Sequence, residues 1–372
     1  LDVGGRGIVA AAHSSSFTHE RRGCAKIAAM QIFDRRTSPP HLVAFAFAAL
    51  VACNDAPART QAAAPAAQQA APASGAPAVP GAGEVTLSPP LDVAAVAAAT
   101  GVAMPERSDD GVVKVSVPRT DVAVAVDGTP LPPFLGLTSW AAFSPGRAGV
   151  AEAMVMGDLV LFEDEVNPVM SELLAADLQV TALHNHFFYD KPAVYFMHIA
   201  GEGTVAALGD GVKRAMATVT TLRAASAVPA TGFGGPSLPA RSSLASAEIE
   251  SILGVKGKAQ DGMFKVVVGR TARAACGCPI GKAMGVNTWA AFAGTADNAV
   301  VDGDFAVAEG EMQAVLKSLR GDGINVVAIH HHMTGETPRI LFLHYWGRGK
   351  AVELAGAVRR ALDKTDWAGA GG

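Results

Sequence analysis

The chain is internally duplicated. Thr181-Ala182-Leu183-His184-Asn185-His186, answered by Phe196-Met197-His198, recurs as Val327-Ala328-Ile329-His330-His331-His332, answered by Phe342-Leu343-His344, with an offset of 146 between corresponding histidines. Asp158 to His198 aligns with 304–344 over 41 residues without a gap, and 12 are identical. Whatever arrangement the first copy adopts must therefore also suit the second. Two copies are too few for a solenoid, which needs a neighbour on each side of most repeats, so two units with a shared or paired core are expected.

Within each copy the order of patterned segments is the same. Lys114-Val115-Ser116-Val117 and Val122 to Val126 read as strands, the second closed by Asp127-Gly128. Thr138 to Phe143 and Met154 to Leu161 follow, then an acidic helix start at Glu163-Asp164-Glu165 and a helix from about Thr204 to Val219. Lys265 to Val268, Asn287 to Phe292 and Asp304, Glu309 and Glu311 repeat the pattern. Short connections between strands predict an α+β fold, two tandem homologous repeats with mainly antiparallel sheets flanked by helices. Repeat 1 is placed at 88–223 and repeat 2 at 243–366, joined by a Pro/Gly/Ser/Ala linker at 224–242, with a tail at 367–372.

Residues 1–52 read as upstream sequence plus an export signal. Arg35 and Arg36 precede a short apolar run, His41 to Ala52, that ends Leu50-Val51-Ala52-Cys53. The run is too short to span a bilayer as a stable helix. Cys53 is the candidate lipidation site, and an acylated Cys53 would tether the chain to a membrane. Residues 53–87 are Ala/Pro-rich and too poor in distinctive apolar groups to fold, as suits a tether. A net charge of −4 gives no basic field for nucleic acid. The four cysteines do not make a disulfide framework, and a bridge between Cys276 and Cys278 is expected to be strained. That segment is read as a turn matching Asp127-Gly128-Thr129.

All seven histidines that follow the signal lie in the two clusters. Residues two apart on a strand share a face, so His184 and His186 point together and Asn185 points away. A hairpin through Tyr189 to Pro192 would set His198 on the next strand opposite His184 or His186, with Val180, Ala182 and Phe196 as a dry surround. His330, His332 and His344 repeat the set. Three neutral imidazoles are the donor set of a divalent metal, zinc before copper. The competing reading, core histidines bonded to backbone, has to explain two triads of one spacing. His331, Met197 and Met333 are not assigned as ligands. Asp158 and Asp304 sit inside apolar strands and need a partner, which suits an imidazole N–H. They and Glu165 and Glu311 are the candidate catalytic carboxylates. Arg119 and Arg270 are the candidate anchors for an anionic substrate group. Trp140 and Trp289 are expected in the core.

The leader, both Trp-Ala-Ala-Phe segments, Met154 to Leu161 and Ala182 to His186 together resemble the LppY/LpqO-type bacterial lipoproteins over roughly residues 88–366. That resemblance implies an exported, lipid-anchored protein of the cell envelope and names no substrate. The expected function is an envelope lipoprotein with a His-x-His…His divalent-metal site in each repeat, extending to a metal-dependent hydrolase. The alternative is a non-catalytic lipoprotein that binds a metal or another envelope ligand.

Overall fold

The structure, a computed structural model, describes residues 85–367. The export signal, Cys53 and nearly all of the 53–87 tract lie outside these residues, as does the tail beyond Trp367. Repeat 1 contributes strands β1 (Glu106–Arg107), β2 (Val113–Pro118), β3 (Thr138–Pro145), β4 (Ala153–Phe162), β5 (Gln179–His184) and β6 (Val194–Gly203), with helices α1 (Val93–Thr100), α2 (Glu163–Ala175) and α3 (Val205–Ala225). Repeat 2 contributes β7 (Gly257–Gln260), β8 (Met263–Gly269), β9 (Asn287–Gly294), β10 (Ala299–Ala308), β11 (Asn325–His330) and β12 (Ile340–Gly349), with α4 (Ser246–Leu253), α5 (Met312–Gly321) and α6 (Ala351–Leu362).

All twelve strands belong to one antiparallel sheet, in the order β1-β2-β3-β4-β6-β5-β11-β12-β10-β9-β8-β7. The order reads the same from either end once repeat 1 strands are exchanged for their repeat 2 counterparts. The α+β class and the tandem duplication expected from the sequence are both present. The core is shared: the repeats join edge to edge through β5 and β11, where Leu183 lies opposite Ile329. These two residues are counterparts at the 146-residue offset, so a pseudo-twofold axis passes through the pair.

Side-chain amides lock that junction. β5 carries a register shift between Val180 and Ala182, and β11 one between Val326 and Ala328. There Val326 donates its N–H to Asn167 Oδ1 at 2.8 Å and accepts from Asn167 Nδ2 at 3.2 Å. Val180 donates to Gln313 Oε1 at 3.1 Å and accepts from Gln313 Nε2 at 2.9 Å. Asn167 and Gln313 are again counterparts, and each reaches from its own helix onto the other repeat's strand. A primary amide has one acceptor and two donors, so a single side chain satisfies both backbone groups.

The two faces of the sheet are buried differently. On β4, Leu159 and Leu161 join the main core under the helices with Val169, Met170, Leu173, Leu183, Met197 and Ile199. Val160 and Phe162 turn the other way, into a small cluster with Val124, Leu137, Val194 and Phe196. Strand alternation produces this split. The counterpart cluster in repeat 2 gathers Ala272, Ile280, Val286, Ala306, Ile340 and Phe342. Each small cluster lies under a flap. In repeat 1 it is built from Ala125–Val126, Thr129–Pro130 and Asp190–Lys191; in repeat 2 it is the hairpin of Ala272–Arg273 and Pro279–Ile280. The histidines are on this flap side.

Candidate metal centre

His184 ends β5 and His198 sits on β6, one residue pair away. His184 lies opposite Phe196, and His198 lies opposite Ala182. The three rings therefore share a face, as strand periodicity requires, but His198 stands diagonal to His184 rather than opposite it. His186 follows just beyond the strand end. The bulge between Val180 and Ala182 also corrects one expected neighbour. Val180 is turned into the helix-side core, and Ala182 stays on the histidine side.

His184 is the middle ring. Its centroid is 5.1 Å from those of both His186 and His198, and it is stacked on the latter at 7°. His186 lies flat on Phe196 at 3.3 Å. Repeat 2 reproduces the set: His330 is 5.2 Å from His332 and 4.9 Å from His344, and His332 lies on Phe342 at 3.4 Å. Phe196 and Phe342 are thus the shelves on which the clusters rest, a role the sequence reading did not give them. The recurrence of Phe-x-His at the same offset was the available signal. His331 is exposed, and Met197 is packed in the helix-side core, so neither enters the ligand set.

The carboxylate at each cluster is an aspartate. Asp158 lies directly opposite His198 on one side and Trp140 on the other. Asp304 lies opposite His344 and Trp289, and its Oδ2 is 3.8 Å from His332 Nε2. Both aspartates are buried, and Asp158 Oδ1, Asp304 Oδ1 and His330 Nδ1 are buried without a hydrogen-bond partner. Such atoms are costly to leave unsatisfied, and the aspartate oxygen recurs at the two matching places. Trp140 and Trp289 are half-buried at the edge of this face, outside the apolar core clusters, with Lys114 Nζ 4.6 Å above one ring and Lys265 Nζ 4.0 Å above the other. The expectation of core tryptophans is corrected accordingly.

The surroundings favour the neutral imidazole at His184, His186 and His330. Burial lowers His184, reinforced by the positive charges that His198 and His186 would carry and partly opposed by Asp158. Burial lowers His186 as well. Burial, with His344, His332 and His331 around it, brings His330 down to about 4. Asp304 is raised by burial against the pull of His344 and His332. Neutral imidazole is the form that ligates.

Glu165, Glu311, Arg119 and Arg270 are not at the clusters. Arg119 forks onto Glu165 with Nη1 at 2.7 Å and Nη2 at 2.9 Å, and also bonds Asp121 and Val160 O. Glu165 has no exposed side-chain surface; it accepts the Phe162 N–H at 2.9 Å and pairs with Arg223 Nε at 3.0 Å. Glu311 takes Arg270, the Ala308 N–H at 2.8 Å and the Asp366 N–H at 2.7 Å. The expected base and the expected substrate anchor bind each other, pinning a strand end to the start of the following helix. The negative charge that reaches His184 and His186 is that of Asp158.

Among the described residues, no three His, Cys, Asp or Glu side chains already aim their donor atoms at one point. The rings stack instead. The middle ring of each cluster nonetheless stands from each neighbour at about the 5 Å that separates two imidazoles bound to one ion at roughly 2.0–2.1 Å, so the outer rings must turn inward for all three to meet it. The orphaned carboxylate and imidazole atoms are the right donors for it. The two clusters also share one face. Continuing the register from Leu183 and Ile329 puts Ala182 opposite His330 and His184 opposite Ala328.

No curated protein matches the chain. A solved structure of a trimeric bacterial microcompartment shell protein, PduB, covers 70% of this chain and 89% of its own at 12% identity, with a TM-score of 0.19, which supports no argument. The family described as Domain of Unknown Function (DUF1259) matches residues 94–218 and again 247–364, one match to each repeat. These matches span the strands that carry Asp158, the histidines and their repeat 2 counterparts, and the chain belongs to that family.

Proposed function

We propose that the protein is an exported lipoprotein of the cell envelope, held at a membrane through Cys53, that binds one divalent cation in each repeat, zinc in preference to copper. His184, His186 and His198 would hold one ion beside Asp158, and His330, His332 and His344 the other beside Asp304. The observation that carries this reading is the coincidence, twice, of three close imidazoles with a buried aspartate whose Oδ1 has no partner. Nitrogen and carboxylate oxygen donors of this kind favour zinc, and a thioether or thiolate that would favour copper(I) is absent from both sets. The leader and the resemblance to the LppY/LpqO-type lipoproteins support the envelope assignment.

Bound there, a divalent cation would supply Lewis acidity toward a water or a substrate oxygen. Asp158 decides between the two functional readings. As a fourth ligand it completes the tetrahedron, which favours a binding lipoprotein without catalysis. As a base beside three histidine ligands it would accept a proton, and the site would suit hydrolysis. The exposure of His186 and His332 favours the second reading, because it leaves each cluster open to solvent on one side.

Elemental analysis of untagged protein is expected to give two equivalents of metal per chain. His184→Ala should leave one, because it removes the middle ring of a single cluster. Retention of both equivalents would refute ligation. Asp158→Asn separates the readings: loss of one equivalent makes the aspartate a ligand, whereas full loading makes it available as a base.

A further inference from the structure

We propose that Cys276 and Cys278 form a dithiol–disulfide exchange site whose substrates are thiols. The two residues are joined by a disulfide with Cα atoms 5.4 Å apart. Gly277, at φ +78°, turns the chain between them, and the hairpin is closed by Ala274 N–H to Cys278 O at 2.9 Å.

Nothing in the fold requires the bridge. Closing so short a loop removes little chain entropy, so the bond stabilises the folded state weakly. Repeat 1 closes the corresponding flap with the two-residue turn Asp127-Gly128, both at positive φ and without sulfur, where repeat 2 uses the five residues Ala274 to Cys278. Both cysteines are exposed at the flap tip, where a substrate thiol can reach them. The sulfurs are not equivalent. The Cys278 N–H faces Cys276 Sγ at 3.4 Å, and Arg273 bonds Gly277 O at 3.1 Å, which holds a guanidinium at the turn. A donor and a cation favour thiolate, so Cys276 is the better leaving group when the bridge opens and the attacking thiol when a disulfide partner is presented to the reduced pair. Exposed bridges of this kind are the labile ones.

The step balances without another cofactor. A substrate thiolate attacks Cys278 Sγ, the Cys276–Cys278 bond breaks, and Cys276 leaves as the stabilised thiolate. A second substrate thiolate then attacks the substrate sulfur of the mixed disulfide and releases Cys278, and the two protein thiolates take the protons given up by the two substrate thiols. Two thiols are oxidised to a disulfide, and the protein disulfide is reduced to a dithiol. The flap rests on the loop after His332 through paired Arg273 and Thr337 backbone bonds at 2.8 Å, but the exchange does not depend on metal.

The test uses the full chain carrying Cys24→Ser and Cys53→Ser, equilibrated with glutathione at a series of ratios, then alkylated and weighed. The pair is expected to pass from disulfide to dithiol within the glutathione range, and the reduced and oxidised chains to melt within about 2 °C of each other. A bridge that survives fully reduced glutathione, or whose reduction lowers the melting temperature by more than that, would make it a structural staple and overturn the proposal. With Cys278→Ser, Cys276 should accumulate a mixed glutathione disulfide about tenfold faster than Cys278 does in Cys276→Ser. Equal rates would remove Cys276 from its assigned role.

Discussion

His330 is the most displaced titrating group at the clusters, held down to about 4 from 6.5. The unfolded chain therefore binds more protons at this position between pH 6.5 and 4 than the folded chain does. Linkage then makes its contribution to stability complete above pH 6.5 and progressively lost as pH falls toward 4. Melting temperatures of metal-free protein measured across that interval should fall, and His330→Ala should flatten the fall. A slope unchanged by that substitution would show that other groups govern it. Glu165 makes a different prediction. It is fully buried between Arg119 and Arg223, so Glu165→Ala removes the carboxylate they share, leaves Arg119 with Asp121 and Arg223 with Asp164, and should cost about 3 kcal/mol in denaturant unfolding, the low end for a broken buried pair. The metal content of the surviving folded protein should not change, because Glu165 stands apart from the clusters.

The element that defines the molecule is the β5–β11 seam. Its strands each carry a bulge, and the backbone groups left over are taken by Asn167 and Gln313 from across the axis. Asn167→Ala leaves the buried N–H and C=O of Val326 without partners and should cost about 1–3 kcal/mol. Gln313→Ala does the same at Val180 and should cost a similar amount. Chemical denaturation of the two single variants checks this, and a large inequality would show that the seam is less symmetric than its hydrogen bonds. The flap turns behave differently. They carry few long-range bonds, so sequence differences such as Asp127-Gly128-Thr129 against Cys276-Gly277-Cys278 are accommodated without disturbing the sheet.

At the scale of the whole molecule, the two repeats form one sheet with one helix-covered core. Cutting the chain at the linker would expose β5 as an unpaired edge with Val180 and Leu183 behind it. Because Leu183 and Ile329 are counterparts, repeat 1 alone can satisfy that edge with a second copy of itself, Leu183 against Leu183 and Asn167 clamping Val180 of the other copy. A fragment ending at residue 223 is therefore expected to be a twofold dimer by light scattering, and Asn167→Ala should weaken it. A stable, soluble monomer would contradict a seam of this kind.

The duplication, the strand periodicity that sets three imidazoles on one face, and the presence of an aspartate inside an apolar strand were all legible in the residues themselves. They depend on local alternation and on the offset between copies, which the chain states directly. Tertiary structure decided the rest. Arg119 meets Glu165 across 46 residues, a strand bulge turns Val180 away from the histidines, and Asp158 becomes the cluster's carboxylate through pairing of β4 with β6. Each of these depends on register between strands distant in sequence, and register is set by the packing of both faces at once rather than by any one segment. The junction of the repeats is of the same kind: no local pattern marks β5 and β11 as neighbours, and only burial of both edges together, with the two amide clamps, selects that pairing.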